Sequence, residues 1–223
     1  MISLRKYISV LICLAMIPFA FASCKGKESR TDTDETKSDV VVIGENSFYS
    51  TLDLSEHVVL CEYKNQTFDI SDTDGSREDM EAAITKHIYE KSEIKKYPDA
   101  PLEYYFEQEK SFYTYLAKGD AEQYDALLSE AGVSEEDLRE LARKYVAEDL
   151  VFYAITEAEG ISVSDAEKSE LLDKYIKKYV DTYGYAEEYV RENMTELIYD
   201  SMLFDKTIEF LIENNRFVSD AQQ

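Results

Sequence analysis

Carboxylates, two histidines and three cysteines are the side chains from which this chain could build chemistry. The adjacent pairs Glu135/Glu136 and Glu187/Glu188 have the residue type for general acid and base work, which requires two carboxyl groups held in different environments. Both pairs instead open stretches of helical periodicity, where negative charge complements the helix dipole. That role accounts for them, and no catalysis is expected. Asp72-Thr73-Asp74-Gly75 followed by Glu81 half-matches a calcium loop. The spacing would put the first ligand at Ile70, which has no ligating atom, so a turn and an N-cap at Ser76 are expected instead. His57 sits in a loop-like stretch and His87 on a helical face, with no motif joining them. Walker, dinucleotide-binding, zinc-protease, C-x-x-C and G-x-S-x-G patterns are all absent from the sequence. No cofactor and no metal are expected.

The acidic residues number 47 against 24 Lys and Arg, a formal charge of -23. Nucleic acid is not an expected partner, because phosphate binding rests on Lys/Arg clusters and no basic stripe is present. At 223 residues the chain is long enough to bury a core. It carries 18 Tyr and no Trp. A Tyr ring buries a large area and keeps one polar tip, which suits core edges and adaptable surfaces alike.

The N-terminus reads as targeting and tethering rather than fold. Arg5 and Lys6 precede an apolar run from Ile8 to Phe21, too short to span a bilayer and placed as in a signal peptide. Phe21-Ala22-Ser23-Cys24 resembles a bacterial lipobox, with Phe21 where Leu is usual. Residues 1–23 are therefore expected to be a lipoprotein signal and Cys24 the lipid attachment site; the plainer alternative is an ordinary secretory signal beside a chance cysteine. Residues 24–39 are almost free of apolar side chains and are expected to form a disordered tether. With Cys24 acylated, Cys61 has no partner, and no disulfide within the chain is expected.

The elements follow from hydrophobic spacing and punctuation. Residues 40–75 are the β-like portion, a short linker with the runs Val40 to Ile43 and Val58 to Cys61 and a third extended piece from Tyr63 to Ile70. Residues 76–216 are expected to be helical and 217–223 a disordered tail. Arg77 to Lys96 carries Met80, Ile84, His87 and Ile88 on one face. After Tyr97-Pro98-Asp99-Ala100-Pro101, with Asp99 as cap, an aromatic helix from Leu102 to Lys118 stops at Gly119. Its stripe of Leu102, Tyr105, Phe106, Phe112, Tyr113 and Leu116 can be core, and Tyr104 and Tyr115 then look elsewhere. A short helix, Ala121 to Ala131, stops at Gly132. Ser134-Glu135-Glu136-Asp137 caps a long amphipathic helix that Gly160 closes, and Ser164 with Glu167 caps the next, which Gly184 ends. A short helix from Ala186 to Glu192 leads into a last long one that Asn214 and Asn215 terminate. Long helix, stop, short helix, stop, long helix thus occurs twice, as a similar layout rather than a true repeat.

Several of these stretches together resemble the C-terminal chaperone domain of trigger factor. They are Tyr97 to Pro101, Ser134 to Arg139, the "ITEAEGISVSDAE" junction from Ile155 to Glu167, Tyr183-Gly184 with Glu187-Glu188, and "KTIEFLIENN" from Lys206 to Asn215. Leu60 to Asp74 resembles the linker by which that family enters its prolyl isomerase domain. Only Gly75 to Lys96 lies where that domain would be, too little for a folded isomerase, and no ribosome-docking domain is recognisable. The resemblance implies a mainly α, multi-helix, arm-bearing fold of the trigger factor C-terminal and SurA-like kind, with a short β-like N-terminal segment. It further implies an extracytoplasmic, lipid-anchored chaperone that holds unfolded or nascent exported proteins without ATP, attached to the membrane through Cys24 and independent of the ribosome. Candidate client-contacting residues are Tyr104, Tyr105, Phe112, Tyr115, Phe152, Tyr153, Tyr179 and Tyr183. The alternatives are a lipoprotein adaptor for one surface protein and, lowest, a degenerate prolyl isomerase.

Overall fold

Local capping chemistry sets the boundaries of the helices. The computed structural model describes residues 46–219; Cys24, the expected signal and tether, Val40 to Ile43 and residues 220–223 lie outside them. In chain order come α1 (Asn46–Tyr49), a 3-10 turn (Leu54–Glu56), β1 (Val58–Val59), β2 (Thr67–Asp69), α2 (Arg77–Lys91) and β3 (Glu93–Ile94). They are followed by α3 (Asp99–Leu116), α4 (Ala121–Ala131), α5 (Glu135–Ala158), α6 (Asp165–Tyr183), α7 (Glu187–Asn193), α8 (Thr195–Glu213) and β4 (Arg216–Val218).

Ser134 accepts from the Asp137 amide at 3.2 Å while the Asp137 carboxylate accepts from the Ser134 amide at 2.8 Å. Two orphan N–H groups of α5 and its cap are thereby satisfied at once. Ser164 with Glu167 and Ser76 with Asp79 repeat the arrangement at α6 and α2. The turn expected before Ser76 is present, with Asp74 accepting from the Ser76 amide. At the other ends, Gly132 and Gly184 adopt φ of +66° and +73°, the left-handed conformation that stops α4 and α6.

Three boundaries differ from expectation, each because a distant partner decides it. α2 stops at Lys91 rather than Lys96, since Glu93 and Ile94 form β3, antiparallel to β1 in the register Val58↔Ile94. Pro98, not Asp99, is the N-cap of α3. The chain does not end its structure at Asn215, and the tail expected from 217 begins inside a strand. Asn215 donates to the carbonyls of Tyr63 and Leu211 and accepts from the Gln66 amide. This turns the chain into β4, parallel to β2 in the register Phe68↔Phe217. The β pieces of the N-terminal segment are therefore completed by strands from elsewhere in the chain.

Nor does residues 40–75 form a separate linker over its described part. Tyr49, Leu54 and Val58 are buried in one core with α2, α3 and α5. α5 is its spine: Val146, Leu150 and Ile155 are fully buried, and every residue from Glu148 to Thr156 is buried. Fully burying one such aliphatic side chain contributes about 1.5 to 3 kcal/mol. A second core joins Tyr175, Ile176 and Tyr179 of α6 with Val190 of α7 and Met194, Leu197, Ile198 and Met202 at the start of α8. α8 runs on into the first core through Leu203, Ile208 and Leu211. Thr207 on α8 meets Thr156 on α5, their hydroxyls 3.1 Å apart. Among the described residues every buried side-chain nitrogen or oxygen has a hydrogen-bond partner.

Candidate functional site

The aromatic helix α3 has one end in the core and one outside it. At its N-terminal half Tyr105 and Phe106 are each 2 % exposed. Tyr105 donates to Asp149 of α5 at 2.6 Å, and Tyr49 donates to the same carboxylate oxygen at 3.0 Å. At its C-terminal end Tyr115 and Leu116 are 42 % and 36 % exposed. The helix then closes through Ala117, buried, and a turn in which Lys118 and Gly119 both take positive φ. Asp120 caps α4 by accepting from the Gln123 amide.

An open groove of about 910 Å³ lies at this end, lined by Glu107, Lys110, Thr114, Tyr115, Leu116 and Lys118 among others. Phe112, half-buried and edge-on to Tyr113 at 5.3 Å, stands one turn behind it. A second groove, of about 620 Å³, follows the seam between the first turns of α3 and α5. Its floor is Leu102, Phe106 and Ala142; Asp99 and Glu103 line the α3 side, Arg139 and Arg143 the α5 side. The Arg139 guanidinium lies 3.7 Å from the centre of the Phe106 ring, and Lys110 Nζ is 5.6 Å from the same centre. Phe106 is thus the residue at which the two grooves approach each other.

Four of the eight candidate client-contacting aromatics are corrected by their burial. Tyr105 is tied to Asp149 as described. Tyr153 stacks on Tyr49 at 4.8 Å, and Phe152 packs on Phe204 at 5.3 Å. Tyr179 hydrogen-bonds Ser201 at 2.9 Å within the second core. The other four are accessible in differing degree. Tyr115 is exposed at the groove, Phe112 is half-buried beside it, and Tyr104 is half-buried between Phe48 and Tyr105. Tyr183 belongs to a different surface, a run of rings Tyr179, Tyr183, Tyr185 and Tyr189 spaced 5.5, 6.4 and 5.9 Å. Burial raises the Tyr185 phenol above its ordinary range. Leu116, which the spacing puts on the core stripe, is instead exposed as the last residue of α3. The stop at Gly119, three residues on, is the signal that could have shown it.

Carboxylates with shifted acidity are scattered rather than gathered. Glu109 and Glu81 are both raised by burial, Glu81 also by Asp205 nearby. The Tyr175 phenol is raised by burial and by donating to Asp205 at 2.6 Å. His57 contacts the Lys96 carbonyl and His87 the Glu62 carbonyl. Among the described residues no group of His, Cys, Asp and Glu could hold a metal ion. No helix among them is long and apolar enough to cross a membrane.

These observations define a mainly helical module with two cores on a shared helix and an apolar groove at the end of an aromatic one. Residues 72–213 match the family model for the C-terminus of bacterial trigger factor protein, and the chain belongs to that family. It is 36 % identical over 85 residues to the trigger factor of Pelotomaculum thermopropionicum, covering 36 % of this chain and 18 % of that protein. The trigger factor of Alkaliphilus oremlandii is 32 % identical over 91 residues, 39 % of this chain and 21 % of its own length. That of Caldicellulosiruptor saccharolyticus is 28 % identical over 88 residues, 40 % and 20 % respectively. The chain thus spans about a fifth of the length of these relatives.

Proposed function

We propose that the protein is a holding chaperone that works outside the cytoplasm, tethered by a lipid on Cys24. In this reading it takes up unfolded or nascent exported chains without ATP and without catalysis. The observation that carries it is the exposed pair Tyr115 and Leu116 over the groove at the end of α3. Large apolar side chains on the surface of a strongly acidic domain favour contact with apolar segments of another chain. Burial there would contribute roughly 25 cal/mol per Å² before ordering costs, which suits weak, reversible holding. The acidic remainder of the surface would keep a loaded complex in solution. Family membership supports a chaperone-type role, and the lipobox-like Phe21-Ala22-Ser23-Cys24 supports the tether.

The test is suppression of aggregation of a refolding model protein at stoichiometric amounts, together with incorporation of a palmitate analogue in cells. Suppression that fails at every ratio sinks the holding role; labelling that survives Cys24→Ala sinks the anchor. One observation favours the adaptor alternative: with Tyr105, Phe152, Tyr153 and Tyr179 in the core, two of the three exposed large apolar side chains among the described residues, Tyr115 and Leu116, sit side by side at one helix end, the third being Val59 on β1. A pull-down dominated by one folded surface protein, with no affinity for denatured chains, would establish that reading instead.

A further inference from the structure

Little holds α4 to the rest of the fold. Of its 11 residues only Leu128 is buried; Tyr124 and Leu127 are half-buried and the others are exposed. The following helix, by contrast, is buried without a break from Glu148 to Thr156. Both connections of α4 run through open space: Gly119 and Gly132 take φ of +77° and +66°, and no atom lies within 4 Å of a Cβ added at either. Elements with so few buried apolar contacts open at the lowest free energy in a fold.

The outer side of α4 is fastened at one point. A single carboxylate oxygen of Glu135, the first residue of α5, accepts from the Tyr124 hydroxyl of α4 at 3.3 Å and lies 3.5 Å from Lys110 Nζ of α3. Three helices meet at this carboxylate, through contacts that are long and open to solvent. The charge around it opposes docking. α4 carries Glu122, Asp125 and Glu130 and no basic residue. Burial first, and then the carboxylates of Glu135, Asp125 and Glu107, raise the Tyr124 phenol, so three acids surround the fastening point.

We propose that α4 is a lid on the client surface. It comes away as one unit between Gly119 and Gly132, once Tyr124 leaves Glu135 and Leu128 leaves the core. Release uncovers Leu128 and the side of α3 beneath it, next to exposed Tyr115 and Leu116, so the apolar area offered to a client grows with opening. This reading rests on the holding role proposed above and supplies its regulation. A client that binds the open form draws the population toward it. A helix of this length without packing is marginal in water, so the released lid unravels and its amides exchange.

Hydrogen exchange on the full chain at neutral pH tests this, with rates corrected for intrinsic exchange. Amides of Asp125 to Ala131 should share one opening equilibrium, roughly tenfold or more faster than those of Leu150 to Ile155. Tyr124→Phe and, separately, Leu128→Ala should each speed α4 severalfold as a block, while Ile208 and Leu211 of α8 keep their protection. Asp125→Asn, which removes one of the three acids, should slow it. Addition of a reduced, alkylated model protein that cannot refold should speed α4 further, by about threefold or more. Exchange graded inward from the ends of α4 overturns the lid, because that is fraying. Binding of the unfolded protein with α4 unmoved or better protected overturns the lid alone and spares the holding role. Absence of any binding sinks both.

Discussion

Lys206 on α8 places its ammonium 2.6 Å from the Glu167 carboxylate at the start of α6 and 2.6 Å from the Ser162 carbonyl in the preceding turn. One side chain thereby fastens the α5–α6 junction to the helix that both cores share. Lys206, and then the hydroxyl and amide of Ser164, hold the Glu167 carboxyl down to about 2, below its ordinary 4.5. A carboxyl lowered on folding contributes stability that is present above 4.5 and is lost as pH falls from there toward 2. Glu167→Gln should therefore be less stable than the parent at pH 6, with the gap closing between pH 4.5 and 2. Urea midpoints at pH 6, 4 and 3 measure it; a gap independent of pH refutes the linkage.

Asp149 should be the most sensitive buried polar residue in the first core. It accepts from both Tyr49 and Tyr105, so Asp149→Ala removes a charge-assisted hydrogen bond from each of two buried phenols. A hydrogen bond to a charged group contributes about 1.5 to 3 kcal/mol, so a loss of about 3 kcal/mol is expected in denaturant unfolding. Tyr105→Phe removes one donor and leaves the other bond, and about 1 kcal/mol is expected.

Exposure separates the two kinds of aromatic on which the functional reading rests. Tyr115→Ser and Leu116→Ser should each change stability by less than about 0.5 kcal/mol, as surface substitutions do, and their combination should cut aggregation suppression severalfold. Phe152→Ala should cost about 3 to 5 kcal/mol. Chemical unfolding beside the aggregation assay decides it: suppression that persists in the Tyr115/Leu116 double variant removes the groove from the mechanism.

What could be read in advance depended on how local the determining contact is. Ser134 with Asp137, Ser164 with Glu167, and Gly184 act within one turn, so their spacing was sufficient to place α5 and α6. β4 was not legible, because the partner of Arg216 to Val218 is Thr67 to Asp69, at the far end of the described chain. The aromatics of α5 misled for a different reason. Periodicity presumes one covered face, whereas α5 is surrounded over Glu148 to Thr156, so both Phe152 and Tyr153 are inside although they point about 100° apart. Of the two rings off the stripe of α3, Tyr115 lies at the surface, whereas Tyr104 is half-buried against Phe48 and Tyr105, because α1 covers that side.

The stop at Gly184 offers a backbone test. Its φ is +73° and no atom lies within 4 Å of an added Cβ, so Gly184→Ala isolates the conformational cost from any clash. About 1 to 2 kcal/mol is expected, and Gly184→Asn, which tolerates the left-handed region better, should lose less. Thermal unfolding of the pair should rank them in that order, and equal losses would argue against a conformational origin.

The division of α8 between two cores makes a claim about cooperativity. Leu197, Ile198 and Met202 belong to the second core and Leu203, Ile208 and Leu211 to the first, on one unbroken helix. Unfolding either core strips apolar cover from a helix the other core needs, so the two should melt together. Ile198→Ala, at 0 % exposure, should lower stability by about 2 to 5 kcal/mol and still give a single transition by both far-ultraviolet circular dichroism and tyrosine fluorescence. Separation of the two probes in that variant would show that the second core opens alone, with the helix breaking between Met202 and Leu203.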